Sequence, residues 1–148
     1  MSEELLRQQA IAGTIGVTGA RRHIFLCCDQ TTPKCCDRER SLAAWDFLKR
    51  RLKELGLSDG GGILRTKANC LRICEGGPIA VVYPEGTWYR ACDPPVLERA
   101  IRHAIQQRKL SQQQTALAVA QAARDEAERA NREKDEFLAV LGHELRNP

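Results

Sequence analysis

Seven cysteines, at positions 27, 28, 35, 36, 70, 74 and 92, are the residues of this chain best suited to chemistry. As thiolates they are soft metal ligands. An iron–sulfur cluster needs four of them converging on its irons. One sulfur from each adjacent pair, Cys27/Cys28 and Cys35/Cys36, together with Cys70 and Cys74 of a C-x3-C segment, makes such a quartet. Gly76 and Gly77 follow, and glycine lets backbone approach a ligand closely. A structural zinc site would use the same thiolates, although zinc ribbons favour two-residue spacing in each half. A thioredoxin-type redox site needs C-x-x-C before a helix, and the sequence has none. Adjacent cysteines are also common as plain buried residues. Spacing alone leaves iron–sulfur and zinc both open. A second chemical feature stands near the other end: an apolar run from Phe137, then His143-Glu144-Leu145-Arg146-Asn147-Pro148. Because residue 147 is asparagine rather than a second histidine, a zinc-protease motif is excluded. The bland alternative for His143 is a solvent-facing helical histidine.

The elements that must position the cysteines follow from hydrophobic pattern. His23-Ile24-Phe25-Leu26-Cys27 is a short strand. Ser41 is a suitable N-cap for a helix whose apolar face is Leu42, Trp45, Leu48, Leu52 and Leu55, and Gly56 stops it. Ile63–Thr66 reads as a second strand after three glycines. Ile79–Tyr83 and Thr87–Arg90 form a hairpin around Pro84-Glu85-Gly86. Asp93-Pro94-Pro95 opens another helix, with Val96, Leu97, Ala100, Ile101, Ala104 and Ile105 on its apolar side. The order predicts a small α/β domain in which helices cover a four-stranded sheet. Cys92 falls at the far end of the hairpin and is expected to be structural.

At 148 residues the chain has room for one ordinary domain and an appendage. Residues 1–21, polar and glycine-containing, are expected to be a mobile leader. From about Gln106 the character changes. Ala116, Ala120, Ala123, Ala127, Ala130, Lys134, Phe137 and Leu141 recur at alternating steps of four and three, a heptad seam made thin by its five alanines. The expected division is 1–21 leader, 22–108 cysteine domain and 109–148 helical segment. Residues 1–110 carry 18 Lys+Arg against 12 Asp+Glu, whereas residues 111–148 carry 5 against 7. This weak basic bias suits a solvated face, and Lys49-Arg50-Arg51 lacks the interleaved aromatics of a single-strand binder, so nucleic acid is not expected. No apolar run reaches membrane-span length, and the start has no basic-then-apolar signal pattern. A cytoplasmic location is expected, where clustered cysteines more often bind metal than form disulfides.

Two resemblances sharpen these expectations. His23–Cys28, the Cys35-Cys36 loop, the segment Ala68–Pro78 containing Cys70 and Cys74, and Val81–Tyr89 resemble the thioredoxin-like [2Fe–2S] ferredoxins over about residues 22–108. That resemblance implies a thioredoxin-like fold, a [2Fe–2S] cluster, one-electron transfer and a homodimer. Carried over by position, its ligands are Cys27, Cys36, Cys70 and Cys74. Cys36 is chosen because it stands five residues before Ser41, and Cys28 and Cys35 are alternates. The second resemblance covers about residues 124–148, where the His143 box is similar to the phosphoacceptor helix of sensor histidine kinases. It implies that His143 is the phosphoacceptor and Glu144 its general base. Gly142 stands where many relatives carry serine. Nucleotide-binding loops are missing, so ATP enters only with a downstream kinase domain, and the chain itself is not expected to phosphorylate. The combined expectation is a cluster-based redox sensor or electron carrier, serving as the input module of a truncated kinase. A redox partner protein and a response-regulator receiver are its expected partners. The alternatives are a plain electron carrier with an incidental tail and a zinc-stabilised interaction module.

Overall fold

The computed structural model describes residues 1–146. Its chain divides into two units, the first ending at Arg108 and the second starting at Lys109. Helix α1 (Glu3–Ile15) opens the first unit, followed by β1 (Arg22–Cys27), α2 (Arg38–Glu54), β2 (Ile63–Ala68), β3 (Ala80–Tyr83) and β4 (Thr87–Tyr89). Helix α3 (Pro94–Glu144) completes the order. No helix is long and apolar enough to cross a membrane among the described residues.

The sheet has the order β2-β1-β3-β4. Strands β1 and β2 are parallel, which requires a crossover, and α2 supplies it. The β1–β3 and β3–β4 pairs are antiparallel, the latter being the hairpin read from Pro84-Glu85-Gly86. In β1 the side chains alternate, so that Ile24 and Leu26 are fully buried on one face. They meet Leu48 and Leu52 of α2, Val82 of β3, and Leu97 and Ile101 of α3 in one apolar core. The architecture is a small mixed sheet packed with helices, and the last of these continues as a long C-terminal helix.

Two local features differ from the sequence pattern. Residues 3–15, within the stretch read as a leader, form α1. Ser2 accepts a bond from Leu5 N, Glu3 and Glu4 occupy the first turn, and Gly16 closes the helix in the left-handed conformation. Helix α2 begins at Arg38 with Asp37 at its N-cap, four residues ahead of the expected cap at Ser41. Ser41 is therefore inside the first turn, fully buried, and its hydroxyl is directed to the loop after β1.

In the second unit nearly every described side chain is exposed, including Leu117, Val119, Phe137 and Val140. A single copy of this helical segment covers none of its own apolar residues.

Candidate metal centre

Parallel pairing is what brings distant cysteines together. In the β1–β2 register Cys27 lies opposite Ala68, so both strands end at the same edge of the sheet. The chain leaving β1 carries Cys28, Cys35 and Cys36, and the chain leaving β2 carries Cys70 and Cys74. Backbone bonds fix the junction. Cys27 N donates to Ile79 O at 2.8 Å, and Cys28 N donates to Ala68 O at 3.0 Å. Asn69 ties the two loops together: its Oδ1 accepts from Thr31 N at 3.3 Å, and its Nδ2 donates to Thr31 Oγ1 at 2.6 Å.

The sulfurs fall into two pairs. Cys27 Sγ and Cys35 Sγ are 3.6 Å apart, and Cys70 Sγ and Cys74 Sγ are 3.8 Å apart. A tetrahedral metal with metal–sulfur bonds of about 2.3 Å holds two of its sulfurs about 3.8 Å apart. Each pair is therefore spaced to grip one metal. All four residues line a single cavity of about 230 Å³, with Lys34, Asn69 and Gln30 among its other walls. Among the described residues, no three His, Cys, Asp or Glu side chains come close enough to share one ion. The donor set thus offers two dithiolate grips on one cavity, which fits a two-metal core.

Glycine is needed where the third segment closes on the cavity. Gly77 N donates to Cys35 O at 3.1 Å. A Cβ on Gly77 would sit 2.7 Å from Cys35 Sγ and 3.2 Å from Cys35 O, inside contact distance. Gly76 precedes it at φ +65°, in the left-handed region that glycine adopts without penalty. On the other side of the cavity, Arg72 N donates to Cys70 Sγ at 3.2 Å, with Arg72 itself at φ +67°.

The thiols are tuned by burial and by each other. Burial raises the Cys27 thiol above its ordinary value, partly offset by hydrogen bonds from the Leu71 backbone and Gln30. Burial likewise raises Cys36. Cys74 is raised chiefly by the hydrogen bond it shares with Cys70. Metal binding must displace protons from such thiols, so loading weakens as pH falls.

The expected site residues are placed as follows. Cys27, Cys70 and Cys74 line the cavity, as does the alternate Cys35. Cys36 lies beside them, half-buried, and its Sγ is 3.9 Å from Gln30 Nε2. Cys28 is buried in the apolar core, where its thiol interacts with Ser41. Cys92 is fully buried, and its thiol donates to Tyr89 O at 3.4 Å while burial pushes its pKa up to about 12. His143 and Glu144 are both exposed in the last turn of α3. Asn147 and Pro148, which complete that box, lie outside the described residues.

Sequence pattern gave no hint of Gln30. It is 3% exposed and its amide nitrogen faces three sulfurs. A lone glutamine in a loop carries no periodicity or spacing signal. The only available clue is its position between two cysteine pairs.

No protein-family model matches the chain. It is 26% identical over 92 residues to a provisionally named 2Fe-2S ferredoxin of Priestia megaterium, spanning 62% of this chain and 67% of that protein. It is 32% identical over 74 residues to a 2Fe-2S ferredoxin of Clostridium pasteurianum, spanning 47% of this chain and 70% of that one. Among solved structures, the wild-type thioredoxin-like [2Fe-2S] ferredoxin from Aquifex aeolicus is similar at 23% identity with a TM-score of 0.45, covering 56% of this chain and 84% of that one. With about a third of its residues identical over most of the length of the Clostridium protein, this chain belongs to the 2Fe-2S ferredoxins.

Proposed function

We propose that the first unit binds one [2Fe–2S] cluster and serves redox sensing or single-electron transfer. The observation that carries this reading is the pair of sulfur–sulfur separations, 3.6 and 3.8 Å, on the walls of one cavity. Cys27, Cys70 and Cys74 supply three thiolates, and the Cys35–Cys36 pair supplies the fourth. Cys35 faces the cavity, whereas the spacing that favoured Cys36 counts from a helix start at Ser41 and α2 starts at Arg38. When bound, the cluster supplies one-electron chemistry at iron. The chain's own part is to shed the ligand protons, to tie the two cysteine-bearing loops to each other through the Asn69–Thr31 bonds, and to keep backbone close at Gly77. Lys34 lines the cavity and places a positive charge beside Cys74, which favours thiolate there.

The second unit extends the proposal. Its exposed His143 and Glu144 end a helix that starts in the ferredoxin unit, a placement suited to an input module ahead of a phosphotransfer reaction. Such a role requires a second copy of the chain, a downstream ATP-binding domain and a receiver protein. Coupling requires two helix-packing states that cluster loading or reduction would populate differently.

Anaerobic purification followed by visible absorption and electron paramagnetic resonance tests the metal reading. Ferric–sulfide absorption that bleaches on one-electron reduction supports it, and a colourless protein containing zinc or free thiols contradicts it. Extending the open reading frame tests the sensor role: a following ATP-binding domain supports it, and a stop codon after Pro148 favours a plain carrier. His143→Gln leaves absorption and potential unaltered under either arrangement.

A further inference from the structure

Gln30 is a buried polar side chain aimed into the thiol cavity. Its Nε2 is 3.5 Å from Cys27 Sγ, 3.5 Å from Cys35 Sγ and 3.9 Å from Cys36 Sγ. Its Oε1 lies 3.0 Å from the Ser41 hydroxyl, whose one proton it shares with Arg38 O at 2.8 Å. Ser41 is fully buried in the first turn of α2, and its Oγ also accepts from Asp29 N at 3.3 Å. The amide is therefore held from behind by Ser41 of α2, which is itself fixed by the Asp29 N–H.

From this geometry we propose that Gln30 is a positioning residue that donates N–H bonds to the cluster's cysteine sulfurs and thereby sets its reduction potential. The inference rests on the cluster reading above. Thiolates only accept hydrogen bonds, so an amide buried among them presents its NH₂ and turns its oxygen to Ser41. An N–H···S bond draws negative charge from the sulfur. Reduction adds a further negative charge to the same centre, so the bond stabilises the reduced state more and moves the potential upward. The low local dielectric strengthens the effect, because Gln30 has almost no contact with water. One amide has two N–H donors and three sulfurs within reach. Cys27 and one member of the Cys35–Cys36 pair can be satisfied together, and the third sulfur cannot. Gln30 thus also biases which of the two neighbouring cysteines is held as the ligand.

The test is the reduction potential, by protein-film voltammetry, of the cluster-loaded wild type, Gln30→Leu and Ser41→Ala, with resonance Raman of the terminal iron–cysteine stretches. Thermal melts establish that each variant is folded. The expected result is a more negative potential in Q30L, with altered iron–cysteine stretching, and a smaller shift of the same sign in S41A, which retains the amide but loses its anchor. Should Q30L fail to hold the cluster, the S41A potential decides: a negative shift supports the proposal and an unchanged value overturns it. A loaded Q30L with wild-type potential and wild-type stretching frequencies also overturns it, leaving the cluster reading intact. A wild type that shows no ferric–sulfide absorption defeats the cluster reading itself, and this inference with it.

Discussion

The two units carry their chemistry in opposite ways. In residues 1–108 the reactive groups come from loops as far apart in sequence as Cys27 and Cys74, and only a paired sheet and buried helices bring them together. From Lys109 onward the groups proposed to react, His143 and Glu144, are neighbours in sequence on an exposed stretch of helix. The first site is a product of tertiary structure and should fail when the core or the loop closure fails. The second is a local motif on the stretch of α3 from Lys109 onward, in which no described side chain is buried in one copy. Isolated helices draw little stability from propensity alone, so this one needs a partner surface to act as more than a spacer.

Breaking the comparison most severely means removing a thiolate. Cys74→Ala, which leaves no ligating atom, is expected to abolish or drastically reduce cluster absorption while leaving the far-ultraviolet circular dichroism of both units intact. Retention of a full wild-type spectrum would remove Cys74 from the ligand set. Next in size is a core truncation set against a helix truncation. Leu48→Ala, at a fully buried position, should cost about 2–5 kcal/mol in denaturant unfolding of the first unit. Leu117→Ala, at 71% exposure, should change it by less than about 0.5 kcal/mol. Equal effects would mean that the helical segment is buried by a partner under the conditions used.

Gly77→Ala should act between fold and site. The new Cβ meets Cys35 Sγ and backbone, so the loop must shift, at about 1–3 kcal/mol. Faster cluster loss at nearly native secondary structure is the expected signature, and a cluster as durable as wild type would show that the Cys35 loop relaxes freely. The smallest effect is electrostatic. Arg51 donates to both carboxylate oxygens of Glu98 and holds its pKa below the ordinary carboxylate range. A lowered folded pKa means that this pair stabilises above the unfolded carboxylate pKa, and that the contribution fades as pH falls through the folded value. Both side chains are partly exposed, so the gain is under about 1 kcal/mol. Glu98→Gln should melt slightly below wild type at pH 7, and the gap should close on acidification. A gap that widens in acid would contradict the assigned sign.

Much of the first unit was legible because its signals are local and periodic. A short apolar run marked β1, the three-and-four spacing from Leu42 to Leu55 marked α2, and Pro84-Glu85-Gly86 marked the β3–β4 hairpin. The C-x3-C segment pointed to a loop that lines the thiol cavity. Other features depend on contacts between distant segments, and no sequence period encodes them. Ser41 has the composition of an N-cap, yet Asp37 takes that place and Ser41 turns inward to hold Gln30. Whether Cys35 or Cys36 faces the cavity depends on how the 28–37 loop meets Gly77, a segment some forty residues away. Helix α1 was obscured by Gly13 and Gly16, the second of which turns out to be its C-cap rather than a sign of an irregular leader.

The most direct measurement is the iron and acid-labile sulfide content of anaerobically purified protein, taken together with its visible spectrum. Two irons and two sulfides per chain with ferric–sulfide absorption is the predicted result. One zinc per chain, or a colourless protein with seven titratable thiols, would contradict the two-metal arrangement on which the functional reading stands.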